Sequence, residues 1–90
     1  MKKRERLQII HDILRAIREK DGKIKPTHIL YKSNLSPKMM NDYLSELLEK
    51  GLIEEQRTKQ GKTYSLTLKG FEYLTKYKMI SEFLESFGLS

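Results

Sequence analysis

SPKMMNDYLSELLEKGLIEE, residues 36–55, is the stretch on which the fold turns. Ser36 is a strong N-cap, and Pro37 suits the first helical position, where a backbone N–H would have no partner anyway. Met40, Leu44, Leu47 and Leu48 then recur at helical spacing, with Tyr43 on the edge of their stripe. Gly51 supplies the stop, and residues 52–58 take on strand character. The outward positions are Lys38, Met39, Asn41, Asp42, Ser45, Glu46 and Glu49, so this helix carries more acid than base on its outer face.

Toward the N-terminus, Leu7, Ile10, Ile13, Leu14 and Ile17 predict an amphipathic helix over residues 4–20, ended by Asp21 and Gly22. Lys23, Ile24 and Lys25 form a short extended piece, because the residue before Pro26 is pushed out of helical geometry. Thr27 is expected to cap a short helix from His28 to about Lys32, burying Ile29 and Leu30, with a tight turn at Ser33, Asn34 and Leu35. Toward the C-terminus, KQGK (residues 59–62) is a polar loop between strand 52–58 and a second strand over 63–67. Thr67 then caps a last helix running to about Phe87. Gly70 within it reads as a point of close packing.

The order is helix, short strand, helix, turn, helix, hairpin, helix. It predicts a mainly α fold with a small β-hairpin (α+β): a winged helix-turn-helix with a long added helix. The expected division is residues 1–68 as the winged DNA-binding unit and 69–90 as a dimerisation helix.

The 90 residues carry a net charge of +6 and are 38% hydrophobic and 33% charged, a core-forming composition whose basic balance points to polyanions. Cysteine is absent, which excludes disulfides and thiolate metal sites. The opening MKKRERLQII lacks the apolar stretch of a signal peptide, and no apolar run spans a bilayer, so a cytoplasmic, nucleoid-associated protein with no membrane partner is expected. His11 and His28 are isolated, His11 reading as a partly buried packing residue, and the glycines are all single. No enzyme, cofactor, metal or small-molecule ligand is therefore indicated.

KIKPTHILYKSNLSPKMMNDYLSELLEKGLIEE (residues 23–55) followed by TYSLTLKGFEYLTKY (residues 63–77) resembles a family of small archaeal winged-helix DNA-binding proteins. The combination of YKSNLS, LLEKGLI and LTLKG carries the likeness, which spans nearly the whole chain. The resemblance implies a last helix paired with its twin in an antiparallel coiled coil, and a role in chromatin or transcription regulation.

If the second helix of the motif enters a major groove, Ser36, Lys38, Met39, Asn41 and Asp42 face base edges. Asn41 suits adenine, Lys38 guanine, Met39 a thymine methyl and Asp42 the cytosine amine. Lys25, Thr27, His28 and Lys32 lie on or beside the preceding helix, and Arg57, Lys59, Gln60 and Lys62 at the wing, as phosphate contacts. Lys2, Lys3, Arg4 and Arg6 add a basic arm, while Glu46, Glu49, Glu54 and Glu55 are expected to fall away from the duplex. In the last helix Tyr73, Tyr77, Ile80, Leu84 and Phe87 form a heptad seam flanked by Phe83, predicting a homodimer; Phe71 and Leu74 are expected to pack on the chain's own winged unit. The alternatives are a monomer whose last helix folds back, a winged-helix protein-interaction module, and an RNA binder. The last would need exposed aromatics near cations, whereas Tyr31 and Tyr64 are expected to be buried.

Overall fold

The computed structural model describes residues 5–20 and 22–89. Helix α1 (Arg6–Glu19) buries Ile9, Ile10, Ile13, Leu14, Ala16 and Ile17. This stripe is wider than the sequence period suggested, because α1 is covered from three directions, by the second helix, the hairpin and the last helix. Ile9 and Ala16 are drawn in, whereas Leu7, expected in the core, is exposed in the first turn.

Ile24 is fully buried and forms an isolated antiparallel bridge to the hairpin, where its carbonyl accepts from Tyr64 N–H at 3.2 Å. Helix α2 (Pro26–Ser33) starts earlier than expected. Lys25, extended at φ −92° and ψ 155°, is its N-cap, and Pro26 occupies the first helical turn. Thr27 is therefore inside the helix and caps nothing: the proline's fixed φ sets the start. Asn34 closes the helix in the left-handed conformation, φ 52°.

Helix α3 (Pro37–Glu49) begins as the sequence predicts, with Ser36 Oγ accepting from Met39 N–H at 3.2 Å. It buries Met40, Leu44 and Leu47. Strands β1 (Ile53–Thr58) and β2 (Gly61–Leu66) form an antiparallel hairpin in register from Ile53↔Leu66 to Thr58↔Gly61, leaving Lys59 and Gln60 as its loop.

Helix α4 (Leu68–Ser86) is anchored at its start. Thr67 Oγ1 accepts from Gly70 N–H at 3.2 Å and donates to Gly51 C=O at 2.6 Å. Lys69 Nζ donates to Lys50 C=O at 2.8 Å. At Gly70 the backbones nearly touch: a Cβ there would lie 2.3 Å from the Leu52 carbonyl oxygen. Leu74 is buried, but Phe71, expected to pack inward, is exposed. Tyr73 O–H donates to Leu7 C=O at 2.9 Å, and Tyr77 stacks on His11 at 4.1 Å between ring centroids. Both tyrosines are thus half-buried against their own α1. The molecule measures 49 × 31 × 21 Å. Helix-turn-helix, hairpin and added helix together make the expected winged helix-turn-helix.

Candidate nucleic-acid interface

The site is built from α2, α3 and the hairpin, with α3 packed against both its neighbours. Because Met40, Leu44 and Leu47 face the core, Lys38, Met39, Asn41, Asp42 and Ser45 are left on the solvent side of α3. Lys38 Nζ and Asp42 Oδ2 form an ion pair one turn apart, at 3.1 Å. Ser36 is committed to the cap. Farther along, Glu46 bonds to the Arg6 guanidinium from α1, which raises the arginine's proton affinity, and Arg6 also lies 5.7 Å from the Tyr43 ring centre. Arg6 is therefore tied to the body rather than free in a basic arm; residues 2–4 of that expected arm lie outside the described residues.

On α2, Ile29 and Ser33 point inward, so Thr27, His28, Tyr31 and Lys32 share the exposed side, with Lys25 exposed at the cap. Lys32 reaches back to α1, where its Nζ lies 2.9 Å from Glu19 Oε2. The bond from Lys32, with its charge, holds the Glu19 carboxyl below the usual carboxylate range. Tyr31, expected to be buried, is 75% exposed. The spacing of Ile29 and Ser33 was the signal that would have found it.

On the wing, Arg57 and Lys62 stand directly opposite across the ladder. Like charges in that position repel, and Glu55 offsets this. Its carboxylate lies 3.9 Å from Arg57 Nε and 3.6 Å from Lys62 Nζ, and accepts from Tyr64 O–H at 3.3 Å. Burial, reinforced by the Glu55 charge, pushes the Tyr64 hydroxyl up. Tyr64 is buried as expected, and Glu55 sits among the wing cations. At the loop, Thr58 Oγ1 accepts from Gln60 N–H at 3.2 Å and donates to Gly61 C=O at 2.9 Å, which fixes the turn that presents Lys59.

The arrangement places exposed donors on the outer face of α3 and exposed cations on the elements that precede and follow it. Among the described residues no group of three or more His, Cys, Asp or Glu is placed to hold a metal ion, and no helix is long and apolar enough to cross a membrane.

The sequence profile of the winged helix-turn-helix family matches residues 3–85. The chain belongs to that family. The Methanocaldococcus jannaschii protein MJ0290 is 35% identical over 78 residues, which are 87% of this chain but 34% of the relative. The chain thus spans about a third of that relative's length. Sso10a-2, a DNA-binding protein from Sulfolobus solfataricus, superposes with a TM-score of 0.80 at 24% identity, covering 93% of this chain and 85% of its own. FabT of Streptococcus pneumoniae, solved in complex with DNA, superposes with a TM-score of 0.68 at 21% identity, covering 88% of this chain and 56% of its own. At these identities the likeness to the two structures is one of winged helix-turn-helix fold.

Proposed function

We propose that the chain is a double-stranded DNA-binding protein that acts as a homodimer, either a transcription regulator or a chromatin-associated protein working at the nucleoid in the cytoplasm. Residues 36–50 insert in the major groove, with Lys38, Met39, Asn41 and Asp42 toward base edges and Ser36 holding the helix start. The wing, through Arg57, Lys59, Gln60 and Lys62, follows the backbone or minor groove, and Lys25, Thr27, His28 and Lys32 take phosphates beside it. The observation that carries this reading is the exposed, largely polar outer face of α3, a helix packed between α2 and the hairpin, both of which carry exposed cations. The fold shared with the DNA-binding protein Sso10a-2 and with FabT, solved in complex with DNA, supports it.

The dimer is read from α4. Beyond Tyr77 its apolar residues are bare: Ile80 and Leu84 are exposed, and Phe83 and Phe87, 62% and 64% exposed, meet each other at 5.1 Å. A contiguous apolar surface of this kind marks an interface. Tyr73 and Tyr77, half-covered by α1, form its inner margin, so residues 69–90 serve as the dimerisation helix and residues 1–68 as the unit that meets DNA.

The test is a mobility-shift titration on duplex DNA at two salt concentrations, with single-stranded RNA as competitor. Binding that weakens steeply with salt supports phosphate contact. The absence of duplex binding favours a protein-docking role. Preference for RNA would put Tyr31, exposed beside Lys32, at the centre of a stacking surface instead.

A further inference from the structure

Resting on that reading, we infer that Lys38 and Asp42 act as one unit that reads the orientation of a single base pair, with the keto base on the lysine side and the amino base on the aspartate side. The ion pair holds a donor and an acceptor 3.1 Å apart on the outer face of α3, with the lysine side chain 86% exposed and the aspartate 66% exposed. Every Watson–Crick pair presents the mirror of this arrangement in the major groove. One base offers a keto oxygen (guanine O6 or thymine O4) and the other an exocyclic amine (cytosine N4 or adenine N6). Those two atoms are joined by an N–H···O bond, so they lie about 2.9 Å apart. The spacing of the ion pair and that of the base edge therefore match. Each charged group can exchange its partner on the helix for one on the base pair without either being left unpaired.

The exchange works in one orientation only. With guanine or thymine on the lysine side, the ammonium donates to the keto oxygen and the carboxylate accepts from the amine. Turned round, the ammonium faces an amine and the carboxylate an oxygen. Guanine is favoured over thymine because its N7 gives the ammonium a second acceptor. The pair also lessens the acidity of α3, since Asp42 meets DNA already neutralised by Lys38.

The needs of the helix do not account for this arrangement. Lys38 lies in the first turn of α3, which contains no acidic residue, where the partial positive charge of the helix end disfavours a cation. A base preceding an acid by four residues is also the weaker order for a helical ion pair. Local preferences broken at an exposed position point to a role outside the helix.

The test is the double exchange Lys38→Asp with Asp42→Lys, compared with the unaltered chain by selection from random duplex DNA. The swap places the acid first, so circular dichroism melting should show no loss of stability. The unaltered chain should favour G·C and T·A over their inverses at one position by about tenfold, and the swapped chain should favour the inverses there. As a second variant, Asp42→Asn should weaken the orientation preference at the position that Lys38→Met abolishes. The inference is overturned if the swapped chain keeps the original preference everywhere, or if Asp42→Asn leaves that position untouched. A chain that binds duplex without preference at any position overturns it while leaving DNA binding intact. A chain that binds no duplex at either salt concentration removes both.

Discussion

Replacing Gly70 by alanine tests how α4 is fixed to the rest of the molecule. In an unconstrained helix the change would stabilise by about 1 kcal/mol, because glycine is the weaker helix former. Here the new Cβ would lie 2.3 Å from the Leu52 carbonyl oxygen, against an ordinary contact of 3.4 Å or more. The start of α4 must move away by roughly an ångström, and the obstacle is backbone, which has no rotamer to yield. The same carbonyl accepts from Thr67 N–H at 3.1 Å, so the movement strains that bond as well. Overpacking costs about 1–3 kcal/mol and a lost hydrogen bond about 1 kcal/mol, leaving a net destabilisation of about 1–3 kcal/mol after the propensity gain. At about 4–8 °C per kcal/mol for a domain of this size, Tm should fall by about 10 °C. The assay is thermal melting by circular dichroism at one fixed protein concentration, since association would itself shift Tm. An unchanged or higher Tm would refute the close approach and mean that α4 lifts off freely.

Leu84→Glu with Phe87→Glu should give monomers of unchanged helicity in sedimentation velocity; a persistent dimer would move the interface elsewhere. Arg57→Ala with Lys59→Ala should weaken binding to all duplexes about equally and lower the salt slope by about 2, one per cation, in titrations across ionic strength. Asn41→Ala should cost about 1–3 kcal/mol of discrimination at one base position, read by selection, with less effect on mean affinity. Glu19 titrates below the usual carboxylate range because Lys32 bonds its charged form. The stability this pair contributes is present at neutral pH and lost as pH falls through the lowered value. Urea melts of Lys32→Met should therefore be less stable than the unaltered chain at neutral pH, with the gap closing in acid; a gap independent of pH would exclude the pair as its source.

What could be read from sequence was what is decided locally. Ser36 and Thr67 cap the helices they precede, and the apolar period of α3 correctly left Lys38, Met39, Asn41 and Asp42 outside. Where two local signals competed, at Pro26 and Thr27, the rigid ring prevailed over the hydroxyl. Features decided by distant partners were not legible. Ile9 and Ala16 are buried because three elements converge on α1, and Phe71 is exposed although its neighbour Leu74 is not. In the candidate site, exposure followed from helical spacing, but charge pairing did not. Arg6 meets Glu46 and Lys32 meets Glu19 across intervals that only folding closes, and Glu55 joins the wing cations through a strand register that the residue types leave open.

The knot of contacts from Thr67, Lys69 and Gly70 onto Lys50, Gly51 and Leu52 gives the molecule a stiff elbow. The end of α3 and the beginning of α4 thus share one tightly packed joint. On the proposed reading, in which two copies pair through α4, the separation of the two α3 helices would be set by how the paired arms cross, so the permitted spacing between target sites would be recorded at the far tips, in the choice of side chains around Phe83 and Phe87, well away from any base.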